Sequence, residues 1–354
     1  SLNDLTIIVP SNVINIKKNW VKQINNYALS GIKVIISIPP EIKKEEVFKK
    51  GFINQINITN AEFRGQVKQR IFAYKYCDSE LIMHMDDDII LDIQILKNLI
   101  NDYSLLPEKA CFAPYLCEYS GQGQNNLLRR LKESILFFGI SKRFGTVGIS
   151  SFPIPYRRSE KSKFSEVDWI PGGLLLIRKK DCLDYDYFNL PGKAYCEDLI
   201  HSRLLKNKGV RLFISNTCSY YTKVPEYKDL GLIYFFRYIK KDFIARNYYR
   251  KMIKNPFLPM LNAYFFIINY YLFYKLVKLI VKTLKIPKKL FIIKKDVIKE
   301  GYEDTNSRLF GSIDPARGVF GLGRQETGKK ACCFSSARLD WSQGVRGKQS
   351  ERDG

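Results

Sequence analysis

The segment Glu80-Leu81-Ile82-Met83-His84-Met85-Asp86-Asp87-Asp88-Ile89-Ile90 runs a short, mostly apolar stretch directly into three consecutive carboxylates. A run of this length, bounded by turn residues, carries the pattern of a buried strand. Three adjacent carboxylates repel one another, so a cation between them is favoured. Hard oxygen ligands suit Mg2+ or Mn2+, ions that commonly share their coordination with substrate phosphates. Alternation along the chain can put Asp86 and Asp88 on one side and Asp87 on the other. Aspartates also collect in solvated loops and at helix N-termini, so the triplet takes its meaning from where it stands.

Working outward, the N-terminal half alternates strand and helix. Leu5 to Val9 is a buried-strand signal ended by Pro10. A helical stretch from Lys17 to Leu29 closes at Ser30-Gly31, and a strand from Ile32 to Ile38 stops at Pro39-Pro40. Gly51 to Ile58 has the pattern of a third strand, Glu62 to Tyr76 of a helix, and Leu81 to Met85 of a fourth strand. This alternation predicts an α/β fold, a mostly parallel mixed sheet with helices on both faces. In such sheets ligands bind beyond the carboxyl ends of strands, which is where the acidic triplet falls.

A second acidic place lies further on. Asp168-Trp169-Ile170-Pro171-Gly172-Gly173-Leu174 is a turn entering a strand, and its glycines permit close approach of a ligand or merely make the turn. Tyr195-Cys196-Glu197-Asp198 then opens a helix that ends at Gly209. Carboxylates in a first turn can be no more than complements of the helix dipole. A displacement in which a hydroxyl attacks as a nucleotide departs needs a base for the proton and positive charge on the departing diphosphate. Two separate carboxylate clusters supply that division of labour.

The 354 residues carry 45% apolar side chains and a formal net charge of +23, which supports a buried core and anionic partners. The charge is not gathered into a nucleic-acid module, so nucleic acid is not an expected partner. Eight cysteines include no metal-like CxxC pair, the only neighbours being Cys332-Cys333, and they fit reduced thiols in a cytosolic compartment. The opening Ser1-Leu2-Asn3-Asp4 lacks the pattern of a signal peptide. A cytoplasmic location is expected.

Three zones follow: an α/β catalytic domain over 1–220, a basic and aromatic helical region over 221–300, and an atypical tail over 301–354. Leu230 to Met252 is aromatic and basic at helical spacing, and Pro256 to Tyr274 is nearly all apolar apart from Asn262 and Asn269. Lysines recur at 275, 278, 282, 285, 288, 289, 294, 295 and 299. The apolar run approaches the ~18–20 residues of a spanning helix. Pro259 and the two asparagines favour instead a helix lying in the plane of an anionic membrane surface, with a helix packed on the domain as the other reading. From Gly301 onward Gly, Ser and Arg take over, disorder is expected, and no functional residue is placed there.

Taken in order, these residues resemble the family-2 glycosyltransferases, inverting enzymes of the GT-A fold, over residues 5–250. The resemblance rests on Leu5 to Pro10 with Ser11, the helix holding Gln69-Arg70, Asp86-Asp87-Asp88, Gly172-Gly173, and the Glu197-Asp198 helix ending at Gly209. It implies that Asp86 and Asp88 are the DxD carboxylates, Asp88 being the direct ligand of Mn2+ or Mg2+, with Asp87 toward the ribose. Pro10, Ser11, Gly172 and Gly173 would line the nucleotide-sugar donor, and Arg70 would stand on its nucleotide side. Asp198 would be the general base, with Glu197 its neighbour near a saccharide or lipid-linked acceptor. The stretch Arg237-Tyr238 to Arg246-Asn247-Tyr248-Tyr249 is similar to one in bacterial members that build surface polysaccharide or lipopolysaccharide, peripheral on the inner membrane face. Arg246 would meet the diphosphate or a lipid phosphate.

The chain also departs from that pattern. Ser37-Ile38-Pro39-Pro40 stands where an acidic residue often helps hold the nucleotide base, Ile71 replaces an asparagine, and Ser219-Tyr220-Tyr221 stands where a histidine is common. His84 and His201, the only histidines, are expected to be a strand residue and a helix-face residue without catalytic duty. Two other classes stay open: a metal-dependent nucleotidyl or phosphoryl transferase, which needs further carboxylates converging on the triplet, and a non-enzymatic basic membrane-binding protein.

Overall fold

A computed structural model describes residues 4–13, 16–118, 145–156, 158–159, 161–188, 195–222 and 230–283. The expectations for the tail and for the lysines from 285 onward lie outside these residues.

The first strand, β1 (Leu5–Pro10), is buried along its whole length. Its side chains alternate between two cores: Leu5, Ile7 and Val9 enter one cluster and Ile8 the other. The first cluster is closed by α1 (Lys18–Leu29), whose Trp20, Val21, Ile24 and Tyr27 share one face. Beside β1 lie β2 (Lys33–Ile38), β3 (Asn57–Asn60) and β4 (Leu81–Met85), all parallel. Between them come α2 (Lys44–Phe48) and α3 (Gln66–Tyr74), and after β4 comes α4 (Ile93–Tyr103).

The second half adds β5 (Ala110–Glu118), β6 (Phe164–Val167), β7 (Leu174–Arg178), α5 (Glu197–Asn207) and β8 (Arg211–Thr222). The eight strands form one mixed sheet in the order β3-β2-β1-β4-β7-β5-β8-β6. Here β7 is inserted antiparallel between β4 and β5, while β8 runs parallel to β5. The expected α/β class and mixed sheet are present, and the antiparallel β7 is what positions the site.

Several boundaries differ from expectation. The third strand begins at Asn57 rather than Gly51, because Gly51 takes a φ of 97° and the following residues turn, Ile56 N–H bonding to Ile53 C=O. Similarly, α3 starts at Gln66 rather than Glu62, since Gly65, with a φ of 139°, cannot continue a helix backwards.

Two further helices, α6 (Leu232–Met252) and α7 (Phe257–Thr283), pack on each other through Phe235, Ile239, Met260, Ala263, Tyr264, Ile267 and Tyr271. The Phe235 and Tyr271 rings stack with centroids 3.6 Å apart. Pro259 does not interrupt α7, because it falls in the first turn, where its missing N–H has no intrahelical partner to lose. Asn269 bonds back to the Phe265 carbonyl. The helix is therefore longer than the apolar run suggested, and by length and composition it is apolar enough to cross a membrane. Leu258, Phe265, Leu272, Leu276 and Leu279 on it are all exposed.

Candidate active site

The antiparallel insertion of β7 pairs Met85 with Leu174 and so brings the residues beyond the end of β4 against those preceding β7. Asp86 N–H donates to the Gly173 carbonyl at 2.8 Å. Acidic triplet and glycine turn, distant in sequence, thus become one structure.

The three aspartates diverge. Asp86 Oδ1 accepts from Gln66 Nε2 at 2.6 Å and from Arg70 at 3.0 Å, while its Oδ2 is turned toward Gly173, where an added Cβ would meet it at 3.2 Å. Asp87 points the other way and accepts from the Ser11 hydroxyl at 2.5 Å, tying the end of β1 to the triplet. Asp88 is exposed and makes no hydrogen bond among the described residues. Pro10 ends β1 and precedes that Ser11.

On the other side stands α5. Gly172 faces its first turn: a Cβ there would lie 2.9 Å from Glu197 Oε2 and 3.5 Å from Asp198 Cβ. The Gly172-Gly173 pair is therefore a wedge, one residue against Asp86 and the next against Glu197 and Asp198. Gly172→Ala is expected to keep the fold but push Glu197 and Asp198 aside and cut activity at least about tenfold. Paired melting and rate measurements check this, and a fully active variant would contradict the close approach.

Beneath the wedge lies Arg70, only 2% exposed. Its guanidinium donates to Asp86 and to the Gly172 carbonyl at 3.0 Å each and to Glu197 Oε1 at 3.3 Å. Burial opposes its charge, but Glu197 and Asp86 outweigh that and hold it protonated. Tyr187 donates to the same Glu197 oxygen at 2.5 Å and stacks on His201, whose ring stands 6.1 Å from that of His84. Tyr74 in turn shares a hydrogen bond with His84 Nε2 at 2.5 Å. Burial keeps both imidazoles neutral, lowering His201 to about 4. Arg70, expected beside the nucleotide, thus occupies a buried bridge, and Glu197, expected near the acceptor, is turned inward.

Asp198 differs from its neighbour. It is half-buried, accepts from the Leu199 N–H at 2.9 Å, and is pushed up to about 6 by burial and then by Glu197. Asp86 is also raised to about 6, by burial against the opposing pull of Arg70, with Asp88 and Glu197 adding to the rise. Tyr220 of β8 stands on the Gly173 side, its hydroxyl 3.7 Å from where a Cβ would be. Burial, then Asp86, Asp88 and Asp198, all raise its phenol, so carboxylates of both clusters bear on one ring.

Arg246 is placed elsewhere. Its guanidinium is buried, bonded to Asp242 at 3.0 and 3.2 Å, to Tyr264 and to the Ser151 carbonyl at 3.1 Å each, and lies over the Phe152 ring. It joins α6 to α7 and to residues 151–152 instead of presenting charge to a phosphate. The described cysteines 77, 111, 182, 196 and 218 are free thiols.

Three residues of the site escaped the sequence reading: Gln66, Tyr187 and, as a positive feature, Tyr220. Gln66 precedes Arg70 by one helical turn, a spacing that could have revealed it. Tyr187 carries no local signal.

The residues fit a divalent cation in a limited way. Among the described residues no three His, Cys, Asp or Glu side chains form a cage. Asp86 keeps one oxygen free of Arg70 and Gln66, and Asp88 is open. Two carboxylates suit Mg2+ or Mn2+, which complete their shells with water and phosphate oxygens.

No family model and no curated protein matches the chain. Among solved structures it is similar to GalNAc-T7 with UDP, GalNAc and Mn2+, at 12% identity over 62% of this chain and 44% of that one, TM-score 0.45. It is similar also to a mannosyltransferase from Pyrobaculum calidifontis in complex with GDP-Man and Mn2+, at 14% identity over 73% of this chain and 68% of that one, TM-score 0.42. A CMP:2-keto-3-deoxy-manno-octonic acid synthetase complexed with CTP matches at 12% identity over 69% of this chain and 99% of that one, TM-score 0.37. The chain spans less than half the length of the first. Likeness at this level says nothing about substrate or mechanism, which have to be argued from the site.

Proposed function

We propose that the chain is an inverting, nucleotide-sugar-dependent glycosyltransferase of the GT-A type, resembling family 2. The observation that carries this is the Gly172-Gly173 wedge, with Asp86 on one side and Asp198 on the other. The donor diphosphate belongs at the end of β4, where Asp86 and Asp88 would hold Mn2+ or Mg2+. Such a cation, when bound, offsets the charge of the departing diphosphate. Asp198, raised toward neutral pH, accepts the proton of the acceptor hydroxyl. The acceptor oxygen bonds to the anomeric carbon as the bond from that carbon to the diphosphate breaks, the electron pair leaving with the nucleotide. One displacement inverts the centre. Arg70 and Gln66 hold Asp86, and Ser11 holds Asp87, so the triplet enters the reaction preorganised. A two-metal phosphoryl-transfer site would need more carboxylates at the triplet, and an arginine and a glutamine converge there instead.

Asp88→Ala is the direct test of the donor side. Calorimetry of UDP-, GDP- and dTDP-sugars with and without Mn2+ is expected to show metal-dependent binding in the wild type, weakened about tenfold or more in the variant. Unchanged binding would remove the triplet from the mechanism.

The acceptor is proposed to be a saccharide or a lipid-linked saccharide used in surface-polysaccharide or lipopolysaccharide synthesis, with the protein peripheral on the cytoplasmic face of an anionic membrane. Support comes from α7, whose inner face packs on α6 while its outer face is apolar and exposed, and from the net charge of +23. Replacing Leu258, Phe265, Leu272 and Leu276 together by Glu is expected to lower partition onto phosphatidylglycerol vesicles by at least about a hundredfold, since each buried side chain contributes ~1.5–3 kcal/mol. Unaltered flotation would make α7 a packing element only.

A further inference from the structure

Resting on the glycosyltransferase reading above, we infer that Tyr220 is a donor-contacting residue whose phenolic O–H hydrogen-bonds the diphosphate of the nucleotide sugar. The two glycines of the wedge divide the site, Gly172 facing Glu197 and Asp198 and Gly173 facing Asp86 and Tyr220. Tyr220 therefore stands on the acidic-triplet side of the wedge.

Its hydroxyl is also unengaged. The ring is 3% exposed, yet the hydroxyl has no hydrogen-bond partner among the described residues. The hydroxyl oxygen is not among the sealed, unpartnered atoms of the core, so a buried ring presents an accessible donor to the site. Other donors at the triplet are committed: Gln66 and Arg70 to Asp86, Ser11 to Asp87. The Tyr220 O–H is thus free to meet a diphosphate oxygen arriving beside a cation held by Asp86 and Asp88.

The chemistry suits the charge. A phenol is a neutral hydrogen-bond donor at ordinary working pH. It can bond a phosphate oxygen without drawing a carboxylate away from a cation, as a lysine or arginine in its place would. As the sugar–phosphate bond breaks, charge accumulates on the departing oxygens, and a fixed donor there stabilises the products of bond breaking more than the bound donor.

The experiment compares wild type and Tyr220→Phe by calorimetry with UDP, GDP and dTDP in the presence of Mn2+, and with the corresponding nucleosides. The nucleoside diphosphate that the wild type binds best is expected to bind the variant about ten- to a hundredfold more weakly, the worth of one hydrogen bond to a charged group. Nucleoside affinity and the thermal midpoint should not move, because phenylalanine keeps the ring and no internal hydrogen bond is lost. Equal diphosphate affinity in the two proteins would overturn the contact and leave the transferase reading standing. Parallel losses for diphosphate and nucleoside would also overturn it, marking a general distortion. A wild type that binds no nucleoside diphosphate would overturn both.

Discussion

Asp198→Asn is expected to slow glycosyl transfer by about 10²–10⁴-fold while nucleotide-sugar binding survives, because the base acts only on the acceptor proton. Asp198 lies in the first turn of α5, where the helix dipole favours a carboxylate, yet burial and Glu197 raise it to about 6. That leaves it ionised at neutral pH and more basic than an exposed aspartate. At saturating Mn2+, which keeps the triplet ionised, wild-type kcat/KM should fall as pH drops below about 6, and the residual rate of the variant should lack that limb. Stability supplies a control with a defined sign. The folded pKa stands above the ordinary aspartate value, so Asp198 favours the folded state only below about pH 4, and that contribution is lost as pH rises through about 6. The asparagine variant should therefore melt about 2–4 °C higher than wild type at pH 8, with the gap closing on acidification. Normal turnover in this folded variant would remove Asp198 from the chemistry.

The parts of the molecule legible in sequence are those whose environment is uniform along the chain. β1, β2 and β4 read correctly because strands covered on both faces must be apolar throughout. α5 read correctly because Glu197-Asp198 and Gly209, with its φ of 80°, mark both its ends. β3 and the start of α3 were misplaced at Gly51 and Gly65, whose backbone angles break a pattern that their apolar neighbours suggest. Partnerships are harder still. Arg70 and Glu197 are 127 positions apart, and each alone looks like a ligand-facing charge. Only the insertion of β7 beside β4, which strand–helix alternation does not predict, shows that they face each other. Arg246 misleads for the same reason: its partners Tyr264 and Ser151 come from other elements.

The consequence for Arg70 is the second large effect. Arg70→Met is expected to destabilise the protein by about 3–5 kcal/mol, the cost of leaving buried Glu197 and half-buried Asp86 without their counter-charge. In a domain of this size that lowers Tm by roughly 10 °C, read by calorimetry or circular dichroism. Arg70→Lys should fall between, because one ammonium cannot satisfy Asp86, the Gly172 carbonyl and Glu197 at once. Removing the charge on the other side should compensate. Arg70→Met combined with Glu197→Gln should be more stable than the single methionine variant, with a coupling of ~0.5–3 kcal/mol in the double-mutant cycle. Activity should not return in the double variant, since Asp86 has still lost the donor that aims it. The alternative, in which Arg70 reaches the nucleotide, makes the opposite forecast: weaker donor binding, an unchanged Tm and no coupling to Glu197. A guanidinium 2% exposed, with its two terminal nitrogens bonded to both acidic clusters, is shielded from a ligand, so stability is the property expected to move.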